Sequence, residues 1–532
     1  MSNVEDIYPL SPAQQGMLFY TLSAPESGVY FEQFPLAYEE GLDPDVFAAA
    51  WQQVVDRNPI LRSSFLWEGL ESPVQVVHRK VQVMIERHDW RGRPAEEQQR
   101  DLAAYAEEDR RRGFDLARPP LLRLALFRFG ETSYRVIWSH HHLLLDGWSV
   151  GLMMNDVFAA YRAISQGRGA QPSARPPFKA FINWLRQRDT ASSEAYWRRV
   201  LAGFRRPTPL MAPPVSEAGL DPGYELRLIR LSPDLTDRLR AFAQRNRVTV
   251  VTLIYGAWAL YLARTGGERD VVFGTTISGR SPSLPGVDSI MGCLINTLPV
   301  RVQADPGAEL ALWLQALQKS LVELRQHEHT PLVDVLGWSD LPRRVPLFDS
   351  LVIFESFTAD ASFVMSHTGF FQRSHYALTL VSSLDPVVTL RLGYEPGRFS
   401  EDLVFRILRD LEFLLAAMVE DPAQPLGALV GELAAEPLAE AEPQEPGPRI
   451  PPRTDREKAI AGIWRQVLGI EEVGVEDDFF DLGGHSLLLL RMADKVRSAA
   501  GKELPLDLLL SCRTVASLAE AEPRRPAECA RS

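Results

Sequence analysis

The chain is poor in the features that mark several functional classes. Its 532 residues include three cysteines, Cys293, Cys512 and Cys529, spaced for neither a disulfide framework nor a metal site, which suits a reducing compartment. Acidic residues outnumber basic ones, and a net charge of −12 argues against a nucleic-acid or anionic-membrane surface as the main partner. The opening residues, MSNVEDIYPL, lack a basic start and an apolar signal core, so the expected location is the cytoplasm. The longest uncharged run, 248–263, is too short to span a bilayer comfortably and reads as a buried helix. No GxSxG elbow of a covalent serine enzyme accompanies the chain's most unusual stretch.

What is present is ordinary in bulk: 45% hydrophobic and 24% charged, as in soluble globular proteins. The length implies about three domains. The unusual stretch is His140-His141-His142-Leu143-Leu144-Leu145-Asp146-Gly147-Trp148-Ser149. It follows a β-rich run, Tyr134 to Ser139, and leads into an amphipathic helix with Met154, Val157, Phe158 and Tyr161 among its apolar positions. The imidazoles thus stand where a strand becomes a loop, a common place for catalytic side chains.

Along the chain, Ser11 and Pro12 begin a capped helix in LSPAQQGMLF. A helix after Asp43 buries Val46, Phe47, Ala50, Trp51 and Val54 and leads to RNPILRSSF. The Gly- and Pro-rich segment 166–178 reads as a connection between two lobes. A second α/β stretch follows to about Asp421, with helices expected at Leu235 to Asn246 and Val250 to Arg264 and a strand at Val271 to Ser278. Residues 434–454, rich in Ala, Glu and Pro, form a semi-stiff tether. Beyond it, Asp455 to Leu468 is an amphipathic helix with Ile460, Ile463, Trp464 and Val467 on one side. It is followed by DDFFDLGGHSL around Ser486.

These motifs carry a resemblance. The HHxxxDG pattern from His141 to Gly147, SPAQQGMLF, RNPILRSSF, the aromatic helix segment Phe181-Ile182-Asn183-Trp184, GTTISGR, MGCLINTLP and HEHTPL with PLFD resemble, in order, the signatures of condensation domains of nonribosomal peptide synthetases. DDFFDLGGHSL resembles the attachment site of peptidyl carrier domains. Two positions depart from the patterns: Asn58 replaces a usual His, and Arg513 replaces a usual Pro, which is expected to loosen a helix start. The resemblance implies an α/β fold of two lobes like chloramphenicol acetyltransferase, plus a small all-α helical-bundle carrier. The corresponding boundaries are 1–175 and 176–430 for the lobes, 431–454 for the tether and 455–525 for the carrier. There is no second HHxxxDG, so the lobes share a fold without sharing a site.

Amide formation between two thioesters needs a free amine and a stabilised oxyanion. An α-amino group has a pKa of about 7.7 to 8.0, and an imidazole near 6.5 can take its proton or orient it. Strand alternation puts His140 and His142 on one face and His141 on the other. The resemblance implies that His142 is the catalytic histidine. It also implies that Asp146 holds the loop by pairing with an arginine, with Arg62 as the candidate, and that His141 is structural support. Gly147 permits a close backbone approach or a turn. Zinc is the rival reading of clustered His and Asp, but adjacent strand residues diverge, so no metal is expected. Ser486, after two glycines at a helix start, either caps that helix or carries 4′-phosphopantetheine; the resemblance implies the latter. The implied partners are an upstream donor carrier, an adenylation domain acting in trans (none lies between the two regions), a phosphopantetheinyl transferase, and downstream synthetase or tailoring enzymes. Ester or amide formation with a free or hydroxyl acceptor, and a non-catalytic carrier-docking module, are the alternatives.

Overall fold

The first lobe is built on two sheets of short strands, the most apolar of them at the centre. They are β1 (Val4–Pro9), β2 (Phe31–Tyr38), β3 (Ser63–Leu66), β4 (Val74–His78), β5 (Ile85–Asp89), β6 (Leu122–Arg128) and β7 (Tyr134–His141). A four-stranded sheet runs β2-β7-β6-β5 and a three-stranded one β1-β4-β3. All pairs are antiparallel except β5 with β6. In this computed structural model the described residues are 3–521 without 40, 71, 169–174, 211–222, 282, 342–344, 356–371, 432–449, 480–481, 483–487, 490–491, 493–494 and 497–511.

Four helices cover these sheets: α1 (Pro12–Ser23), α2 (Pro44–Arg57), α3 (Ala95–Arg112) and α4 (Gly147–Ser165). Local chemistry sets their ends. Ser11 and Gln14 form a reciprocal capping box at α1, and the Asp43 carboxylate accepts from the N–H groups of Asp45 and Val46 at α2. Each such cap is worth about 1 kcal/mol. The apolar spacing of α2 buries Phe47, Ala50, Trp51, Val54 and Val55, while Val46 stays half-buried. They join the inner face of the four-stranded sheet in one core with Trp138 and Leu143 to Leu145.

The second lobe adds α5 (Phe178–Leu185), α6 (Ala191–Leu201), β8 (Glu225–Arg230), α7 (Pro233–Arg245), α8 (Val250–Gly266), β9 (Asp270–Ile277), β10 (Asn296–Gln303), α9 (Leu310–Leu324), α10 (Leu332–Gly337), β11 (Ser350–Glu355), β12 (Leu378–Leu384), β13 (Val388–Tyr394), α11 (Glu401–Met418) and α12 (Leu426–Gly431). Its six strands run β10-β9-β11-β12-β13-β8, with β11 parallel to both neighbours. The uncharged run near residue 250 forms α8, buried almost throughout in the core of this lobe. Among the described residues no single helix is long and apolar enough to cross a membrane.

Two segments tie the lobes together. Phe178, Phe181 and Ile182 of α5, and Val287 to Leu294 before β10, bury their apolar side chains in the core of the first lobe. The loop before β10 therefore lies at the seam, directly beside the histidine loop.

A third, small core forms near the C-terminus. Ile460, Ala461 and Trp464 of α13 (Asp455–Leu468) pack with Val475, Phe479, Leu489 and Met492, and with Val515 and Leu518 of α14 (Val515–Glu520). Phe19, on α1 of the first lobe, is buried against this cluster. The expected loosening at Arg513 does not occur. Thr514 caps α14 in a capping box with Ser517, and the Arg513 side chain pairs with Asp478 at 2.8 Å. Most of the tether, 432–449, and the segment with Ser486 lie outside the described residues.

Candidate active site at the lobe seam

Strand β7 delivers the three histidines to the seam, and each meets a different environment. His140 is fully buried, in a cluster of near-parallel rings with Trp138 and Phe34. His141 points to the opposite face: its Nδ1 accepts the Leu143 N–H at 3.1 Å and its Nε2 donates to Thr21 at 3.1 Å. Burial, reinforced by the neighbouring imidazoles, lowers its pKa to about 3, so it is a neutral structural group. His142 is buried as well, but less deeply than the other two, at 7% against 2% and 0%. Its N–H donates to the Tyr30 carbonyl at 2.9 Å, and the edge of the Tyr30 ring faces it.

The face shared by His140 and His142 carries a residue that sequence reasoning did not single out. Glu32 of β2 is paired in register with His140, so its side chain lies on the same face. One carboxylate oxygen is 3.2 Å from His140 Nε2, the other 3.2 Å from His142 Nε2. Gln372, from the second lobe, donates to the same carboxylate at 3.0 Å. Burial pushes the Glu32 carboxyl up, but the two imidazoles and Gln372 outweigh it and hold it below the usual range. Glu32 is therefore ionised.

Asp146 ends the loop by capping α4, accepting the Ser149 N–H at 2.8 Å. Its partner is Arg280 of the GTTISGR turn, through two hydrogen bonds of 2.9 and 3.0 Å, and the Leu294 N–H donates to it at 2.9 Å. The expected pairing with Arg62 is thus incorrect. Arg62 closes a short 3-10 turn between α2 and β3, which aims its guanidinium at the ends of β1 and β4. There it meets Glu5 at 2.7 Å and the carbonyls of His78 and Arg79. Gly147 opens α4 without left-handed backbone, so its role there is that of a small first helical residue.

Gln14, part of the start of α1, also braces the site: its amide donates to the Leu143 carbonyl at 2.8 Å. Cys293 lies 4.0 Å from His142 Nδ1. Burial first, then the nearby charges of Asp146 and Glu32, push its thiol well up, which disfavours the thiolate.

With this geometry in view, comparison with known proteins is decisive. A family model described as condensation domain matches residues 4–436, and one described as phosphopantetheine attachment site matches 458–521. The chain belongs to the condensation-domain family. Two polypeptides of the linear gramicidin synthase of Brevibacillus parabrevis are 42% identical over 432 residues and 44% identical over 434; each match covers 80% of this chain. The chain spans only 6% and 8% of those relatives. Among solved structures, the X-domain from teicoplanin biosynthesis aligns with a TM-score of 0.68 at 22% identity, covering 80% of this chain and 97% of that one. The starter condensation domain of rhizomide synthetase aligns at 0.67 and 22%, covering 79% and 97%. The condensation region thus has the two-lobed, chloramphenicol-acetyltransferase-like fold, followed by a carrier domain on which 4′-phosphopantetheine is attached covalently to a serine.

The donor chemistry fits that group. The matched carrier segment contains four serines, Ser486, Ser498, Ser511 and Ser517. Ser517 is committed to the cap of α14, exchanging hydrogen bonds with Thr514. Ser486 is the one that follows the paired glycines of the motif.

Proposed function

We propose that this chain forms an amide bond between a donor acyl or peptidyl thioester and an aminoacyl group held on its own carrier, with His142 as the catalytic histidine and Ser486 as the attachment serine. The observation that carries the reading is the place of His142 just past the end of β7, on a seam built from both lobes, where it is the least deeply buried of three adjacent imidazoles. The attached arm supplies a thiol on which the acceptor is held. The acceptor amine attacks the donor thioester carbonyl, the C–N bond forms and the carbonyl electrons move to oxygen. Collapse then breaks the C–S bond. His142 takes the proton released by nitrogen and returns it to the departing thiolate, so no acyl-enzyme is needed. Asp146 and Gly147 contribute by holding the loop that presents His142, and His141 anchors it through Leu143.

The donor would arrive on an upstream carrier, and Ser486 would be primed by a phosphopantetheinyl transferase and charged by an adenylation domain in trans. Product would pass to a downstream synthetase or tailoring enzyme. Cys293 and Cys512 are free thiols, in keeping with a cytoplasmic setting.

The test is the intact mass of the loaded carrier after incubation with a donor thioester. Growth of the loaded chain that disappears in His142→Ala supports the reading. Product released from the carrier would indicate a free acceptor, and carrier binding without product from any donor would indicate docking alone. Ser486→Ala is expected to abolish the mass gain on priming; its persistence would move the attachment to another serine.

A further inference from the structure

The most unusual group at the seam is a carboxylate for which the catalytic reading above has no use. Glu32 is 3% exposed. Among the described residues its charge partners within 4.0 Å are two imidazoles, not an arginine or lysine. A buried carboxylate is costly unless a positive charge or good hydrogen bonds compensate it. Gln372 supplies one hydrogen bond at 3.0 Å. His140 Nε2 lies at 3.2 Å but not in hydrogen-bonding alignment. A positive charge forming on the ring of His142 would compensate this carboxylate directly.

We propose that Glu32 is a positioning residue for the condensation reaction: it fixes the His142 ring at Nε2 and stabilises the imidazolium formed when His142 takes the proton of the amine. The inference rests on the reading of His142 as the catalytic histidine. Proton balance is simple, since Glu32 stays ionised throughout while the proton moves from amine nitrogen to His142 and on to the leaving thiolate. Nε2 donates the ring hydrogen toward Glu32, which leaves Nδ1 to receive the amine proton, and the positive charge forms with one edge of the ring 3.2 Å from Glu32. His140, on the other carboxylate oxygen, competes for the same negative charge.

Other groups face this pair from every side. Just before β2 comes Tyr30, whose hydroxyl is 2.6 Å from His375 Nδ1. From β7 comes His141, held neutral by burial. The seam loop contributes the Cys293 thiol, and behind it the Asp146–Arg280 pair. From the second lobe come Gln372 and the buried Glu355–Arg391 pair, which senses the charge of Glu32. Within this set the ionised carboxylate in direct contact with His142 is Glu32.

The sign of the effect follows. His142 must be neutral to accept a proton, so turnover is lost in acid. A neighbouring negative charge favours the protonated ring, so removing that of Glu32 weakens the base. The experiment uses the full chain, primed on Ser486 and loaded with glycine, with acetylglycyl, acetylvalyl and acetylleucyl thioesters of N-acetylcysteamine as donor probes. Single-turnover rates are followed against pH for the fastest pair. For Glu32→Gln we expect a fall in the plateau rate of about 10-fold or more and an acidic limb moved down by about one pH unit, with Glu32→Asp partly restoring the limb.

His140→Gln leaves Glu32 in place and removes its competitor, so its acidic limb is expected to move up; this variant decides the matter if Glu32→Gln does not fold. A merely structural Glu32 would shift neither limb. If His142→Ala is inactive and neither limb moves, the inference about Glu32 is overturned alone. If His142→Ala retains full turnover, the underlying reading of the site fails with it.

Discussion

Asp146 and Arg280 meet across the seam between the lobes through two parallel hydrogen bonds, with neither side chain more than 3% exposed. Arg280 also donates to the Ser149 hydroxyl at 2.9 Å, and that hydroxyl donates in turn to the Gly292 carbonyl at 2.7 Å. One guanidinium thus fixes the histidine loop, the start of α4 and the loop before β10. Arg280→Ala leaves Asp146 buried without its countercharge. Such truncations cost about 3–5 kcal/mol, so a lowered denaturation midpoint and loss of turnover are expected together. An unchanged midpoint in urea would show that the pair carries no structural load.

The turn that delivers Arg280 depends on Gly279, whose φ is +65°. A β-carbon at that position would run into the backbone carbonyl of Leu294, a neighbour unable to yield as a side chain would. Gly279→Ala is therefore expected to displace the turn, lower the melting temperature and cut turnover at least as much as Arg280→Ala. Melting curves and single-turnover rates measured side by side test this.

Glu328 provides a pH-dependent prediction away from the histidines. It lines a small open cleft with Ser11, Phe181, Asn296 and His329, and one of its carboxylate oxygens is buried without a partner among the described residues. Burial raises its pKa from 4.5 to about 7, against the opposing pull of Arg325 and Arg280. Between those values the folded chain binds more protons than the unfolded one, so stability declines as pH rises from about 4.5 to about 7. Glu328→Gln removes the ionisation. Relative to wild type it should be more stable at pH 8, with that advantage absent at pH 4. Urea denaturation at the two pH values tests this; an equal effect at both would contradict it.

Phe19 links the catalytic lobe to the carrier, being buried with Trp464, Phe479 and Leu518. Phe19→Ser is expected to slow condensation with the carrier-bound acceptor about 10-fold by lowering its effective concentration at the site. Reaction with a small diffusible aminoacyl thioester should be nearly unaffected. Equal losses with both acceptors would assign Phe19 to the stability of α1 instead.

Much of the site was legible because the motif compresses it into one strand and one loop. Period-two alternation in β7 separates His141 from its neighbours, and Asp146 sits where a helix cap belongs. The rest depends on pairings between distant segments. Glu32 becomes a neighbour of His142 only once β2 is laid antiparallel beside β7. Arg280 reaches Asp146 from 134 residues away, and the choice of Arg62 failed because adjacency of signatures along a chain does not give their order in space. Gln14 was hidden for another reason: its segment reads as a plain helix start at Ser11 and Pro12, while its donation to Leu143 requires the lobe to be assembled.

Tyr30 holds a left-handed backbone, φ 61°, rare for a residue with a side chain. Its N–H donates to the Arg373 carbonyl of the second lobe, and its own carbonyl accepts the N–H of His142. The second lobe and the backbone of the proposed catalytic histidine are therefore bonded to opposite sides of one residue, and a shift of either is felt by the other through a single α-carbon.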